Sequence, residues 1–241
     1  MSFFRKMVKF LSDDDYRRNP DGSSLTEERL AALSVGAINS EQTCYYCDSL
    51  ATGEKDYEIR DNLEEYYGVT DSQTAEETLE WLLHEGHRIY YDAVMALAAG
   101  ENIPGLDAWD EEEKDRLREY FSNLQESFQV LIEEDFLEED TDLGELSILA
   151  WDMGRLVMVT RSCYDCGYID EAVAWKYIEQ ALKLCREAYG SWQELAQGYV
   201  VGRAMWGGNN STLLGIIAIA QGLLDDEESP WKQVPLQGGA K

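Results

Sequence analysis

The sequence predicts an all-α protein, a single globular domain of about eight helices with no significant sheet. Three observations lead there. The 241 residues hold only 4 prolines, and the 19 glycines fall mostly at segment ends, where helices stop. Apolar residues recur at spacings of three and four behind good capping residues. No convincing period-two strand runs anywhere in the chain. A hydrophobic content of 44% and an aromatic content of 11% are enough to fill a core at this length. Residues 1–24 read as an N-terminal segment and linker, and residues 25–241 as the helical domain, with a signature region at 146–206.

Each segment has its own punctuation. Met1 to Leu11 mixes Arg5, Lys6 and Lys9 with Phe3, Phe4, Met7, Val8 and Phe10. It lacks the unbroken apolar core of a secretory signal and reads as a frayed or docked end. Asn19-Pro20-Asp21-Gly22 marks a turn inside the linker. Thr26 is a good N-cap, with Glu27 and Glu28 in the first turn, for a stripe through Leu30, Leu33 and Ala37 toward Cys44. Tyr57 to Tyr67 is a short helix closed by Gly68. Asp71 or Ser72 caps the next, with Leu79, Leu82 and Leu83 inside, and Gly86 ends or bends it. Asp110 to Leu137 is the longest, with a seam of Leu117, Phe121, Leu124, Phe128 and Leu131. Three helices follow, from Leu146 to Tyr164, from Asp170 to Gly190, and from Ser191 to Trp206. Ser191 and Glu194 form a capping box. Thr212 to Leu224 is the most apolar run and reads as a helix buried on all sides, closed by Pro230. Its 13 residues fall short of the roughly 20 that span a bilayer.

The formal net charge is −28. It disfavours nucleic acid and anionic membranes as partners, because their phosphates would be repelled, and it attracts a basic protein. Charge concentrates on the longest helix: from Asp107 to Asp142 there are 15 acids against Lys114, Arg116 and Arg118. Glu111, Glu112, Asp115, Glu119, Glu133 and Glu134 are the candidate docking face, and a solvated helix surface is the plain alternative. With no signal and no spanning segment, the sequence places the protein in the cytoplasm, where its five cysteines are reduced.

Chemistry-bearing motifs are few. Cys44-Tyr45-Tyr46-Cys47 and Cys163-Tyr164-Asp165-Cys166 are two CxxC pairs. Four zinc ligands are one reading, but both pairs sit in or at helix ends rather than on glycine knuckles. Buried structural thiols are preferred, and no metal is assigned. His84 and His87 stand three apart, where a zinc-protease helix needs four. Neither a phosphate-binding loop, a dinucleotide fingerprint nor a G-x-S-x-G elbow is present, so no cofactor and no catalytic residue is assigned. Polar residues among apolar ones are the remaining signal. Trp151-Asp152-Met153-Gly154-Arg155 is echoed by Tyr199-Val200-Val201-Gly202-Arg203, with an aromatic four residues before an arginine. Asp152 is a ready partner for Arg155, and Asp165 for Arg161. Gly154 and Gly202 would let their helices approach closely. Arg155, Arg203, Asp152 and Arg161, with His87 and Arg88, thus form a candidate network. It is either a structural ion-pair cluster or a pocket for an anionic ligand.

These residues also carry a resemblance. W-D-x-G-R at Trp151 to Arg155, Arg161, Tyr164, Gly167-Tyr168-Ile169, Ala174-Trp175, Ser191-Trp192, and Tyr199 through Arg203 to Trp206 resemble the bacterial domain-of-unknown-function family 1266. Asp48-Ser49-Leu50 with Gly53, Gly86-His87-Arg88, Leu223-Leu224 and Ser229-Pro230-Trp231 extend the likeness over most of the chain. Cys163 and Cys166 stand where the family has other residues, and Val234-Pro235-Leu236 lacks the tryptophan expected after the proline. The resemblance implies a helical domain and transfers no activity. The function expected is therefore a non-enzymatic protein-binding module with an acidic surface, for example a toxin-neutralising immunity protein. The alternative is a small-anion binder or enzyme built on Arg155, Arg203, Asp152 and His87.

Overall fold

The computed structural model describes residues 16–22 and 24–238; the frayed or docked end expected at Met1 to Leu11 lies outside them. Among the described residues there are ten α-helices of seven residues or more and no strand. They are α1 Glu27–Ser34, α2 Ala37–Thr43, α3 Asp56–Tyr67, α4 Ser72–His84, α5 Tyr91–Ala99, α6 Glu111–Glu133, α7 Leu149–Asp165, α8 Glu171–Ala188, α9 Trp192–Gly207 and α10 Ser211–Asp225. A single closing turn, α11 Pro230–Gln233, follows. The architecture is the all-helical domain the sequence predicts, with ten helices where about eight are expected; one of the additional helices arises because the first stripe breaks. Val35 and Gly36 separate α1 from α2, where a Cβ on Gly36 would press on Val157 and the Gly154 carbonyl.

The caps form as their chemistry dictates. Thr26, Asp71, Asp110, Asp170, Ser191, Asn210 and Ser229 each accept from a first-turn amide. The box expected at Ser191 is displaced by one residue. Ser191 Oγ accepts from Glu194 N at 3.2 Å, but the Glu194 carboxylate accepts from Gly190 N at 2.8 Å rather than from Ser191 N.

α7 is the centre. It packs against α8 and α9 on two sides and against α2, α3 and α4 on the others. From Ala150 to Cys163 only Met158 is not fully buried. The all-round burial expected of the last apolar helix belongs here instead. α10 touches α2, α9 and α11, burying Leu213, Ile216, Ile217, Ala220 and Leu223, while Leu214, Ile219 and Leu224 are only half-buried. Apolar letters count hydrophobic mass; the number of neighbours decides which faces are covered. Pro230 does not close α10, which ends at Asp225; it opens α11 at N1 behind the Ser229 cap.

Glycine sets the crossing of α7 and α9. A Cβ on Gly202 would meet the Trp151 Cβ, and one on Gly154 would lie 2.8 Å from both Asn39 Oδ1 and the Tyr199 ring. The backbones of α7 and α9 can approach only because both positions are bare, as the sequence suggested.

The other end of α7 holds the loop between α2 and α3. Arg161 is fully buried and donates to four carbonyls, Leu50 O (3.2 Å), Tyr46 O (2.6 Å), Ser49 O (2.9 Å) and Ala51 O (3.1 Å), and to Ser40 Oγ (2.9 Å). Asp165 is not its partner. That carboxylate accepts from Thr52 N at 2.8 Å and Thr52 Oγ1 at 2.6 Å. The i+4 ion pair gives way because main-chain carbonyls meet Nε and Nη2 while Ser40 Oγ meets Nη1. The supposed linker is tied to the same region: Arg17 donates to Glu54 and to the Cys44 and Gly53 carbonyls, and Asn19 N donates to Asp48 at 2.8 Å.

Candidate functional site

Asp152, in the first turn of α7, is wholly buried. A carboxylate there must collect several donors or become protonated. It collects four: His87 N (3.0 Å), Arg88 N (3.1 Å), Arg88 Nη1 (3.1 Å) and Arg155 Nη2 (2.6 Å). The turn that delivers two of these amides needs Gly86 at φ +63°, and any Cβ there would strike the carboxylate. Arg88 also donates to the Leu82 and Leu83 carbonyls at the end of α4. Asp152 is thus saturated, a bolt between α7 and the turn after α4.

The two echoing arginines part company. Arg155 lies over the Trp151 ring, 4.6 Å from its centroid, and its Nε donates to Trp151 O at 3.3 Å. With Asp152 as counter-ion its charge is answered. Arg203 does not use Tyr199, its counterpart four residues earlier. Its guanidinium lies 5.2 Å over Trp206, while the Tyr199 ring meets the edge of Trp151 at 5.2 Å. Trp151 and Trp206 are themselves 5.7 Å apart. The order Arg155, Trp151, Trp206, Arg203 is a ladder of cations and rings across the α7–α9 crossing, with no partner shared by the two arginines. Arg203 is only 4% exposed and pairs with no carboxylate among the described residues; its sole hydrogen bond, from Nη2, goes to Asn210 Oδ1 at 3.3 Å.

His87 belongs beside this ladder. Its Nδ1 is 2.9 Å from the Tyr120 hydroxyl of α6, and its ring meets Trp81 at 5.1 Å and Trp206 at 6.2 Å. Burial pushes its pKa from 6.5 to about 4; Arg155 and Arg116 push the same way, and Asp152 opposes. The imidazole is therefore neutral near pH 7. The unfolded chain holds the extra proton between pH 6.5 and 4, so this group costs stability as pH falls through that window. Full protonation amounts to about 3 kcal/mol. Glu41 runs the other way. Burial raises its pKa from 4.5 to about 7, so its contribution is whole below 4.5 and is lost as pH rises through 7. We expect H87Q to flatten the acid side of the stability curve and E41Q the neutral side, read as melting temperature from about pH 4 to 8. Curves for H87Q parallel to wild type would show that His87 carries no such linkage.

α6 bears the acidic candidates. Glu111, Glu112, Asp115, Glu119 and Glu133 are exposed and Glu134 is partly so. Three of them are already answered on their own helix, by Lys114 (Glu111), Arg116 (Glu112) and Arg118 (Asp115). The seam splits as well. Leu117, Leu124 and Leu131 are buried, whereas Phe121 and Phe128 are half-buried and turn toward a groove between α5 and α6. That groove, of about 700 Å³, has Val94, Met95, Ala98, Ala99, Leu124 and Leu143 in its walls. Its charged lining residues are Asp92, Glu101 and Asp142, all exposed and none in an ion pair among the described residues. These three acids come from three segments, and sequence reasoning did not single them out. A usable signal was present: Ala98 and Ala99 sit exposed at the end of an almost wholly apolar helix.

The cysteines do not converge on a metal-binding set. Among the described residues no group of three or more His, Cys, Asp or Glu side chains could hold an ion. Burial raises the thiol pKa of Cys47 to about 11, of Cys163 to about 12 and of Cys166 to about 11, as expected of thiols packed as small apolar groups. Cys44 is exposed, in a left-handed conformation at the end of α2.

Among the described residues no helix is long and apolar enough to cross a membrane. Nothing among curated proteins and nothing among solved structures matches the chain. A family model described as "Protein of unknown function (DUF1266)" matches residues 62–236, which take in α7, the Gly86-His87-Arg88 turn, both halves of the arginine–tryptophan ladder and the α5–α6 groove. The chain belongs to the DUF1266 family.

Proposed function

We propose that the protein is a binding module that takes a basic amphipathic helix of a partner protein into the α5–α6 groove. One observation carries this: an apolar groove of about 700 Å³ whose charged lining is acidic alone, on a chain of net charge −28. A helix entering such a groove anchors apolar side chains at i, i+3, i+4 and i+7 and turns lysines or arginines to the rim. Asp92, Glu101 and Asp142 would steer and orient it. A toxin-neutralising protein is one form of this reading, because a cationic toxin segment has the required chemistry.

The test uses a fluorescent amphipathic peptide of leucine and lysine, its lysine-to-glutamate counterpart, and a copy with the leucine spacing scrambled. We expect only the first to bind, with affinity falling as salt rises. Ala98 is exposed, so A98R leaves the core intact while placing bulk and positive charge in the groove. It should weaken binding by about tenfold or more, the equivalent of roughly 1.4 kcal/mol. Equal binding of the acidic peptide, or an unchanged affinity in A98R, would overturn the proposal.

A further inference from the structure

We propose that Arg203 and the amino end of α10 form a binding site for a tetrahedral oxyanion, a phosphate group. The case begins with an imbalance between donors and acceptors. Asn210 Oδ1 receives Thr212 N at 3.0 Å, Leu213 N at 3.2 Å and Arg203 Nη2 at 3.3 Å. One neutral amide oxygen has lone pairs for about two of these three donors. Asn210 cannot turn to help, because its Nδ2 donates to Gly207 O at 2.8 Å. Arg203 Nη1 is buried and meets no acceptor among the described residues.

The charge is unanswered as well. Arg203 is more than nine-tenths buried, and burial lowers its pKa, with the Tyr199 phenol as the opposing influence. The other two buried arginines are fully served, Arg155 by Asp152 and Arg161 by five oxygens. A guanidinium stripped of water without a counter-ion is strongly unfavourable. It also stands at the positive end of a 15-residue helix whose first turn holds no acid, in a chain with 48 of them.

The guanidinium lies where a side chain on Gly207 would be, and Gly208 turns the chain at φ +66° into exposed Asn209 and Asn210. An oxyanion seated between the guanidinium and the exposed first turn of α10 would take Nη1, relieve Asn210 of its third donor and meet the first-turn amides. Trp206, 42% exposed beside the guanidinium, would face the remainder of a phosphate ester. The surrounding negative field repels free anions, so binding depends on these donors rather than on general attraction.

The test measures tryptophan fluorescence and melting temperature of the full chain against inorganic phosphate and phenyl phosphate, with chloride at matched ionic strength. Wild type should be stabilised by phosphate and not by chloride. Tighter binding of phenyl phosphate would assign an ester, and equal binding the free anion. R203Q should weaken binding about tenfold or more, as loss of charge-assisted hydrogen bonds does. Asn210→Asp supplies the missing carboxylate in place while keeping the cap. It should raise the melting temperature without phosphate and abolish the phosphate response, which a purely structural arginine would not link. No phosphate response in wild type, or an undiminished response in Asn210→Asp, would overturn the proposal even if R203Q failed to fold.

Discussion

Asp152→Ala is expected to destabilise the protein by about 3–5 kcal/mol, the cost of breaking a buried charge network from one side. The carboxylate is the common acceptor for two guanidiniums and two main-chain amides, so its removal deprives four buried or half-buried donors of their shared acceptor. Asp152→Asn should fare little better, because the new amide turns a donor toward donors. This separates lost acceptors from lost shape. Gly86 offers an independent handle. Gly86→Ala must leave φ +63° or collide with the carboxylate, and part of that cost should vanish in the Asp152→Ala background. Urea titrations of the two single variants and the double variant measure the coupling. For scale, Glu111→Ala removes an exposed pair with Lys114 and should change stability by about 1 kcal/mol at most. An Asp152→Ala midpoint as close to wild type as that would show that the donors find water instead.

What the sequence made legible follows from range. The helices and most of their caps rest on contacts within four residues, and Thr26, Asp71, Asp170 and Ser191 cap where their chemistry pointed. The Asp152–Arg155 pair lies within one helical turn and was legible for that reason. Its other donors, His87 and Arg88, come from 64 or 65 residues away, and no local pattern announces them. The echo of Trp151–Arg155 in Tyr199–Arg203 suggested equal roles. The structure gives them unequal ones, because a carboxylate stands three residues before the first arginine and only Val200 before the second. The groove acids were invisible for another reason. Asp92, Glu101 and Asp142 are three ordinary acids among 48 until the fold sets them around one apolar trough.

Arg161 should prove the second most costly position, and for a reason no single partner could reveal. Arg161→Met is expected to lose about 3–5 kcal/mol. The methionine fills much of the volume, but four carbonyls and Ser40 Oγ lose their donor in a dry interior. Arg161→Lys recovers at most three of those bonds and should sit between the two. The loss is also expected to be local first. The 44–52 loop is held from α7 by Arg161, by Asp165 through Thr52 and by Ser162 through Tyr45, and Arg161 supplies most of those bonds. Limited proteolysis should therefore cut Arg161→Met within that loop under conditions where Asp152→Ala is cut around residues 84–90. Identical cleavage patterns would mean that both variants open only by global unfolding. A buried ion pair can often be exchanged for apolar residues with little penalty, because both charges leave together. Here four of the five acceptors are main-chain carbonyls that no substitution can remove, so no second change can fully compensate for the loss of this arginine.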